Sequence, residues 1–269
     1  MKKAGFRADS TSLRRFLRAR EIEAIFRGIP NGAFDRALEL GAGDGHQSRL
    51  ISRYNRRLVS TDINRGRLDT APTAGVSWTI CDAEAQPFAD GSFDFAFSSN
   101  LLEHLPEPEV ALRELWRVLR DDGVSVHTVP NRFWKTLHMA LFYPSQVIAL
   151  AERLLGAPAA SVQTAYDNNV KVQRLSFWRR NLWPPPHGVA SSNLAEFIRF
   201  GRRTWTDLFE RSGFEVVSLV DGLPAHSPYR FGIQRLRPWI ERAGLSSTTG
   251  FVLVKRGHAS PHTSWFLHD

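Results

Sequence analysis

The seven residues Glu39-Leu40-Gly41-Ala42-Gly43-Asp44-Gly45 constrain the fold more than any other stretch of this chain. Arg36-Ala37-Leu38-Glu39-Leu40 reads as a short buried strand, and Ser48-Arg49-Leu50-Ile51 lies in the helix that follows. A strand that hands over to a helix through so short a loop must turn sharply. Glycines at 41, 43 and 45 remove the Cβ atoms that would block both the turn and the close approach of a ligand to the backbone. The spacing departs from the dinucleotide fingerprint G-x-G-x-x-G, because His46 stands where the third glycine would be.

Strands and helices alternate around this loop. Arg57 to Asp62, Val76 to Asp82, Phe93 to Ser99 and Val124 to Pro130 read as four further strands, with an amphipathic helix from Glu109 to Leu119 before the last. The rhythm lapses over residues 131–200. It resumes with a helix from Thr204 to Ser212 and strands at Glu215–Val220 and Gly250–Lys255. The order predicts an α/β fold: a Rossmann-like, doubly wound, mostly parallel seven-stranded sheet with a helical insertion after the fifth strand. The expected organisation is an N-terminal helical cap over 1–32, a ligand-binding core over 33–130, and a substrate cover over 131–200. Residues 201–256 complete the sheet, and 257–269 form a loose tail.

Two acids fall in register with the glycine loop. Asp62 ends the second strand, where a carboxylate can accept hydrogen bonds from both hydroxyls of a ribose. Asp82 ends the third, where one can accept from an adenine amine. Taken together, Leu38 to Gly45, Asp62, Asp82-Ala83, Phe93-Asp94 and Asn100-Leu101-Leu102-Glu103-His104-Leu105 resemble the class I S-adenosylmethionine (SAM)-dependent methyltransferases. The quinone-biosynthesis group is the closest in flavour. Arg113 to Arg120 resembles that family's helix before the fifth strand, although Arg120-Asp121-Asp122-Gly123 replaces its usual Lys-Pro-Gly-Gly turn.

The resemblance implies SAM as cofactor and assigns roles residue by residue. Gly41, Ala42 and Gly43 would pack against the methionine and ribose parts, with Glu39 ordering the loop from beneath. Asp62 would hold the ribose hydroxyls and Ile63 lie against the adenine face. Asp82 and Ala83 would address the adenine edge. Ser99 and Asn100 would stand near the methionine portion and the substrate entrance.

Methyl transfer from a sulfonium is an in-line displacement, so the protein chiefly positions a nucleophile and takes its proton. Histidine suits that task near neutral pH. His104 follows the fourth strand, and His187 ends the rigid Pro184-Pro185-Pro186 run inside the insertion; these are the catalytic candidates. His127, inside a strand, reads as a packed core histidine.

The insertion should choose the acceptor. Phe133, Trp134, Phe142, Tyr143, Tyr166, Phe177, Trp178 and Trp183 supply aromatic surface, and Arg132, Lys135, Arg153, Lys171, Arg174, Arg179 and Arg180 supply cations. Such a cover suits a small-molecule or glycan acceptor, including a lipid-linked or phosphorylated one, methylated at oxygen. His187-Gly188 followed by Ser191 to Leu194 also bears a low-level resemblance to segments of surface-polysaccharide methyltransferases. The net charge of +8 and an amphipathic stretch over 133–155 leave peripheral contact with an anionic membrane open. An RNA acceptor is the alternative that the arginine–aromatic interleaving raises. Against it, no separate RNA-binding module is visible, and Asn100-Leu101-Leu102-Glu103 is not the Asn/Asp-Pro-Pro-aromatic motif of many base-amino methyltransferases. A SAM-binding regulator without catalysis is a third reading.

Cys81 is the only cysteine, and no Cys/His cluster has zinc-ligand spacing, so no metal site is expected. The apolar run from Met139 to Ala151 falls short of the ~20 residues a membrane span needs. Pro144 is expected to break it. Arginines interrupt Leu13 to Arg18, which gives no signal-peptide core, and a cytoplasmic location is the default expectation.

Overall fold

The computed structural model describes residues 10–66, 73–154, 183–227, 229, 233 and 235–267. Seven strands form one sheet: β1 (Phe34–Leu40), β2 (Asn55–Asp62), β3 (Val76–Ile80), β4 (Phe93–Ser99), β5 (Leu119–Pro130), β6 (Phe214–Val220) and β7 (Thr248–Lys255). The strand order is β3-β2-β1-β4-β5-β7-β6. The first five strands pair in parallel, and β7 runs antiparallel to both β5 and β6. This is the expected doubly wound sheet, closed by one antiparallel hairpin.

The strands read as they do because both faces are covered. Every residue of β4 from Phe93 to Ser98 is buried, as a parallel strand flanked by helices requires. In β7 the side chains alternate between two cores. Val252 and Val254 join Ile22, Ile25, Phe26, Phe34, Phe95 and Phe97 on one face. Phe251 and Leu253 join Leu38, Leu40, Leu112, Leu115 and Phe209 on the other. Helix α1 (Ser10–Ile25) covers the first face. Helix α2 (His46–Ile51) follows the glycine loop.

Helix α3 (Pro108–Val118) covers the second face, burying Ala111, Leu112, Leu115 and Val118 at helical spacing. Pro108 opens α3, where a missing N–H costs nothing, and Arg117 sits in its last turn. The Arg120–Gly123 turn is absorbed into β5. The ladder jumps from Phe93–Leu119 to Phe95–Val124, so those four residues leave register without ending the strand.

Two expectations are corrected here. Pro144 does not end a helix: α4 runs from Arg132 to Leu154 straight through it. Phe142 and Ser145 are buried on either side of the proline, so tertiary packing holds both halves. The Ser145 hydroxyl also donates to the Phe142 carbonyl at 2.5 Å. Residues 257–267 are not loose. A short 3-10 turn at Thr263–Phe266 buries Phe266, and Trp265 and His262 meet the Phe34 ring edge-on.

Helices α5 (Asn193–Arg199), α6 (Arg202–Arg211) and α7 (Arg237–Arg242) complete the described structure. The sequence readings at Tyr166, Lys171, Arg174, Phe177, Trp178, Arg179 and Arg180 lie outside the described residues. No described helix is long and apolar enough to cross a membrane.

Candidate active site

The order of strands reverses between β1 and β4, and a doubly wound sheet binds its ligand outside the carboxyl ends of such neighbours. The glycine loop leaves β1 at this point. Gly41, Gly43 and Gly45 all have left-handed φ, at 72°, 59° and 69°. Their surroundings differ. A Cβ on Gly41 would meet Leu101 at 2.9 Å, and one on Gly45 would meet the Trp78 ring at 2.4 Å. A Cβ on Gly43 would meet nothing within 4 Å. The outer glycines therefore pack the loop against the protein, while the central one faces open space.

Asp62 is held at the end of β2 by two backbone donors, the Gly43 N–H at 2.9 Å and the Asn64 N–H at 2.8 Å. Ala42 ties the loop to the same strand through its N–H to the Thr61 carbonyl at 2.8 Å. Ile63 is 68% exposed, a large apolar side chain presented beside that carboxylate. Asp82 is exposed after β3 and caps its own turn through the Glu84 N–H, with Ala83 buried beside it. An acid, an apolar plate and an open glycine cradle on adjacent strands fit a nucleoside, and SAM carries one.

Glu39 is buried beneath the loop and accepts from the Ser60 hydroxyl at 2.7 Å. Burial pushes its pKa up to about 7, partly offset by the nearby hydroxyls of Ser48 and Ser60, of which Ser60 makes the hydrogen bond.

Ser99 and Asn100 follow β4. Asn100 is the only described non-glycine residue with positive φ, at 49°. Asparagine tolerates that conformation better than most side chains. The Ser99 hydroxyl is already engaged: it donates to Glu21 at 3.0 Å and accepts from Arg18 at 2.7 Å and Thr128 at 3.1 Å. Arg18 and Glu21 come from α1, paired at 2.6 Å. Arg18, Glu21 and Thr128 were not singled out from sequence. One signal existed: Leu17, Glu21 and Ile25 share helical spacing, so Glu21 is a carboxylate set into an apolar stripe.

The two histidine candidates, 83 positions apart, meet in space, with ring centroids 4.6 Å apart. Glu103 lies with them. Its Oε1 is 3.9 Å from His104 Nε2 and 4.0 Å from His187 Nε2. Glu103 is 1% exposed, and neither carboxyl oxygen has a hydrogen-bond partner among the described residues. Burial raises its pKa to about 8. His187 sits against Trp134 at 5.0 Å, and burial, then His104, hold its pKa well below the usual value. Gly188 makes this approach feasible: a Cβ there would lie 2.3 Å from the Glu103 carbonyl oxygen.

Behind the cluster, Lys135 of α4 and Glu196 of α5 form a fully buried ion pair, and Asn193 accepts from Lys135 at 2.6 Å. The other Glu196 oxygen accepts the His187 N–H at 2.5 Å, which fixes the loop carrying that imidazole. His127 is a core residue, as expected. It is fully buried, bonded through Nδ1 to Ser98 Oγ at 2.8 Å, and burial lowers its pKa to about 3.

Residues 38–127 match the family described as Methyltransferase domain. The chain is similar to the ubiquinone/menaquinone biosynthesis C-methyltransferase of Desulfotalea psychrophila, 31% identical over 134 residues, covering 47% of this chain and 54% of that protein. It is also similar to the 2-methyl-6-phytyl-1,4-hydroquinone methyltransferase of Synechocystis, 27% identical over 206 residues, covering 66% of this chain and 64% of that one. The chain thus spans between half and two thirds of the length of these curated relatives. A SAM-dependent methyltransferase from Thermotoga maritima shares the fold at a TM-score of 0.51 and 18% identity, over 91% of this chain and 95% of that one. Loop, strand-end acids, sheet order and matched domain converge: residues 38–127 carry a methyltransferase domain, set on the fold shared by SAM-dependent methyltransferases.

Proposed function

We propose that the protein transfers the SAM methyl group to an oxygen of a small-molecule or glycan acceptor that enters beside Glu103, His104 and His187. The observation that carries this reading is the meeting of the two imidazoles with a buried carboxylate. They meet on the turn directly after β4, two residues past the leucine that packs on Gly41. SAM supplies the electrophilic methyl; the chain's own residues do the rest. The glycine loop, Asp62 and Ile63 orient the nucleoside end, and Asp82 with Ala83 meets the base. The histidine cluster positions the acceptor hydroxyl and receives its proton. Mass spectrometry of products formed from deuterated SAM and candidate glycans tests it. His187→Ala should lower kcat by about 100-fold or more with SAM affinity unchanged. A methyl found on carbon would favour a quinol acceptor like those named for the relatives, and would overturn the oxygen assignment.

Glu39 gives the cofactor side its own test. Its raised folded-state pKa means that protonation stabilises the fold: the contribution is full below about pH 4.5 and is lost as pH rises through about 7. SAM carries positive charge, so its arrival should restore the carboxylate and expel a proton. SAM affinity should therefore rise with pH between about 4.5 and 7, by up to about tenfold per unit. Calorimetry in buffers of differing ionisation heat should show proton release near pH 6 and a flat response in Glu39→Gln.

The proposal extends to lipid-linked acceptors at an anionic membrane surface. Met139, Tyr143, Val147, Leu150 and Leu154 are exposed along one stripe of α4, and the chain carries a net charge of +8. Such a helix face suits the boundary between head groups and acyl chains. The protein should co-sediment with phosphatidylglycerol vesicles at low salt, and Val147→Glu with Leu150→Glu should abolish this. Sedimentation unaffected by the double variant would remove α4 from the contact.

A further inference from the structure

We propose that Glu103, His104 and His187 form a three-ligand site for a divalent transition cation of the Zn2+ kind. Its open position would take the acceptor's hydroxyl oxygen. One ligand atom from each residue lies within 4.8 Å of the others. Bonds of about 2.0–2.2 Å to a shared cation place ligand atoms roughly 3.4 Å apart. The two histidine-to-Glu103 separations of 3.9 and 4.0 Å therefore need to contract by roughly 0.5 Å, within side-chain reach.

The second observation is the state of Glu103. A carboxyl removed from water with neither oxygen hydrogen-bonded is costly, and buried charges of this kind are paired or coordinate metals. The two facing groups are imidazoles, which as neutral rings offer lone pairs and no compensating charge. A cation held by the three would supply the positive charge and the partner that the Glu103 oxygens lack. Two nitrogens and one oxygen select a transition metal over Mg2+ or Ca2+. Three protein ligands leave a position for water or substrate, the pattern of catalytic and not structural sites.

His104 is half-exposed and opens the cluster to solvent, which gives the ion and the acceptor a route. The sequence held no spacing signal because Glu103 and His104 stand more than 80 residues before His187 and meet it only in the folded chain.

The site rests on the acceptor position proposed above and replaces one part of that reading, the imidazoles as the destination of the proton. A hydroxyl bound to such a cation loses its proton to water near neutral pH. The alkoxide oxygen then bonds to the methyl carbon as the carbon–sulfur bond breaks, leaving the electron pair on sulfur. The imidazoles act as ligands and not as proton acceptors.

The whole chain, stripped by chelator and dialysed, is titrated with Co2+ and separately with Zn2+ in a calorimeter, and the visible Co2+ spectrum is recorded. One equivalent should bind, with the d–d bands of a four- or five-coordinate site. Glu103→Gln and His187→Ala should each weaken binding by more than about 100-fold. His258→Ala, which removes an exposed histidine elsewhere, should leave it unchanged, and cooperative melting checks that each variant is folded. Absence of a stoichiometric site, or binding indifferent to Glu103→Gln in folded protein, overturns the metal assignment. Loss of methyl transfer in His187→Ala without any metal binding supports direct proton transfer to the imidazoles instead. Metal binding with turnover indifferent to chelator overturns the acceptor-ligand role and leaves the ion site.

Discussion

Asp62→Ala should weaken SAM binding by about 150-fold or more. In the proposed SAM pocket the carboxylate would receive charge-assisted hydrogen bonds from two ribose hydroxyls, each contributing about 1.5–3 kcal/mol. It also holds the Gly43 and Asn64 amides, so its loss frees the loop it anchors. Both effects act on the cofactor and not on the core, because the Asp62 side chain lies at the strand end. Calorimetry should therefore show the affinity loss with a melting temperature within a few degrees of wild type. Asp62→Asn separates the two contributions: its amide oxygen still accepts from Gly43, while the charge assistance disappears. It should bind SAM at an intermediate level. Unchanged affinity in Asp62→Ala would move the pocket off this edge of the sheet.

Lys135→Met should destabilise the chain by about 3–5 kcal/mol, which for a domain of this size is roughly 6–20 °C in melting temperature. Removing one partner of a buried ion pair strands the other charge. Glu196 would lose the cation that offsets its burial, and burial already raises its pKa while lowering that of Lys135. Replacing both, as Lys135→Met with Glu196→Leu, should recover most of the stability, since well-packed apolar pairs often match buried ion pairs. Activity should not recover. Glu196 also accepts the His187 N–H, so the double variant keeps a folded α4–α5 pair but loses the fixed position of that loop. Thermal melting together with kcat distinguishes these outcomes. Recovery of both would mean that the pair only stabilises the cover.

The cofactor half of this fold is legible in sequence because its determinants are local. Gly41 to Gly45 forms a loop whose glycines declare their own backbone requirement, Asp62 closes β2, and Asp82 follows β3 two residues past its end at Ile80, where the sequence pattern runs the strand on to the acid. The strand order follows from alternation and right-handed crossover. Pro144 was misread because a proline's local cost is readable and the burial of Phe142 and Ser145 that offsets it is not. Phe266 likewise looks like a residue of an untethered end until its core partners are placed. The acceptor side depends on long-range meetings: Arg18 and Glu21 with Ser99 and Thr128, Glu103 with His187, and Lys135 with Glu196. Each histidine carries a reason to be noticed, but neither names its neighbour. Glu103 reads as an ordinary acid at a turn, and only burial makes it unusual.

The close approach of Gly188 to the Glu103 carbonyl has a bearing on how such covers are exchanged. It is one of several contacts that join the cover to the rest of the chain, with the Asn131 side-chain amide, which donates to the Ser246 carbonyl at 2.8 Å, and the Tyr229 hydroxyl, which donates to the His138 carbonyl at 3.2 Å. The Asn131 contact needs a single amide side chain, and the Gly188 contact needs only that no side chain be present. A chimaera that keeps Asn131, Gly188 and the Lys135–Glu196 pair should accept a foreign cover without repair to the donor pocket.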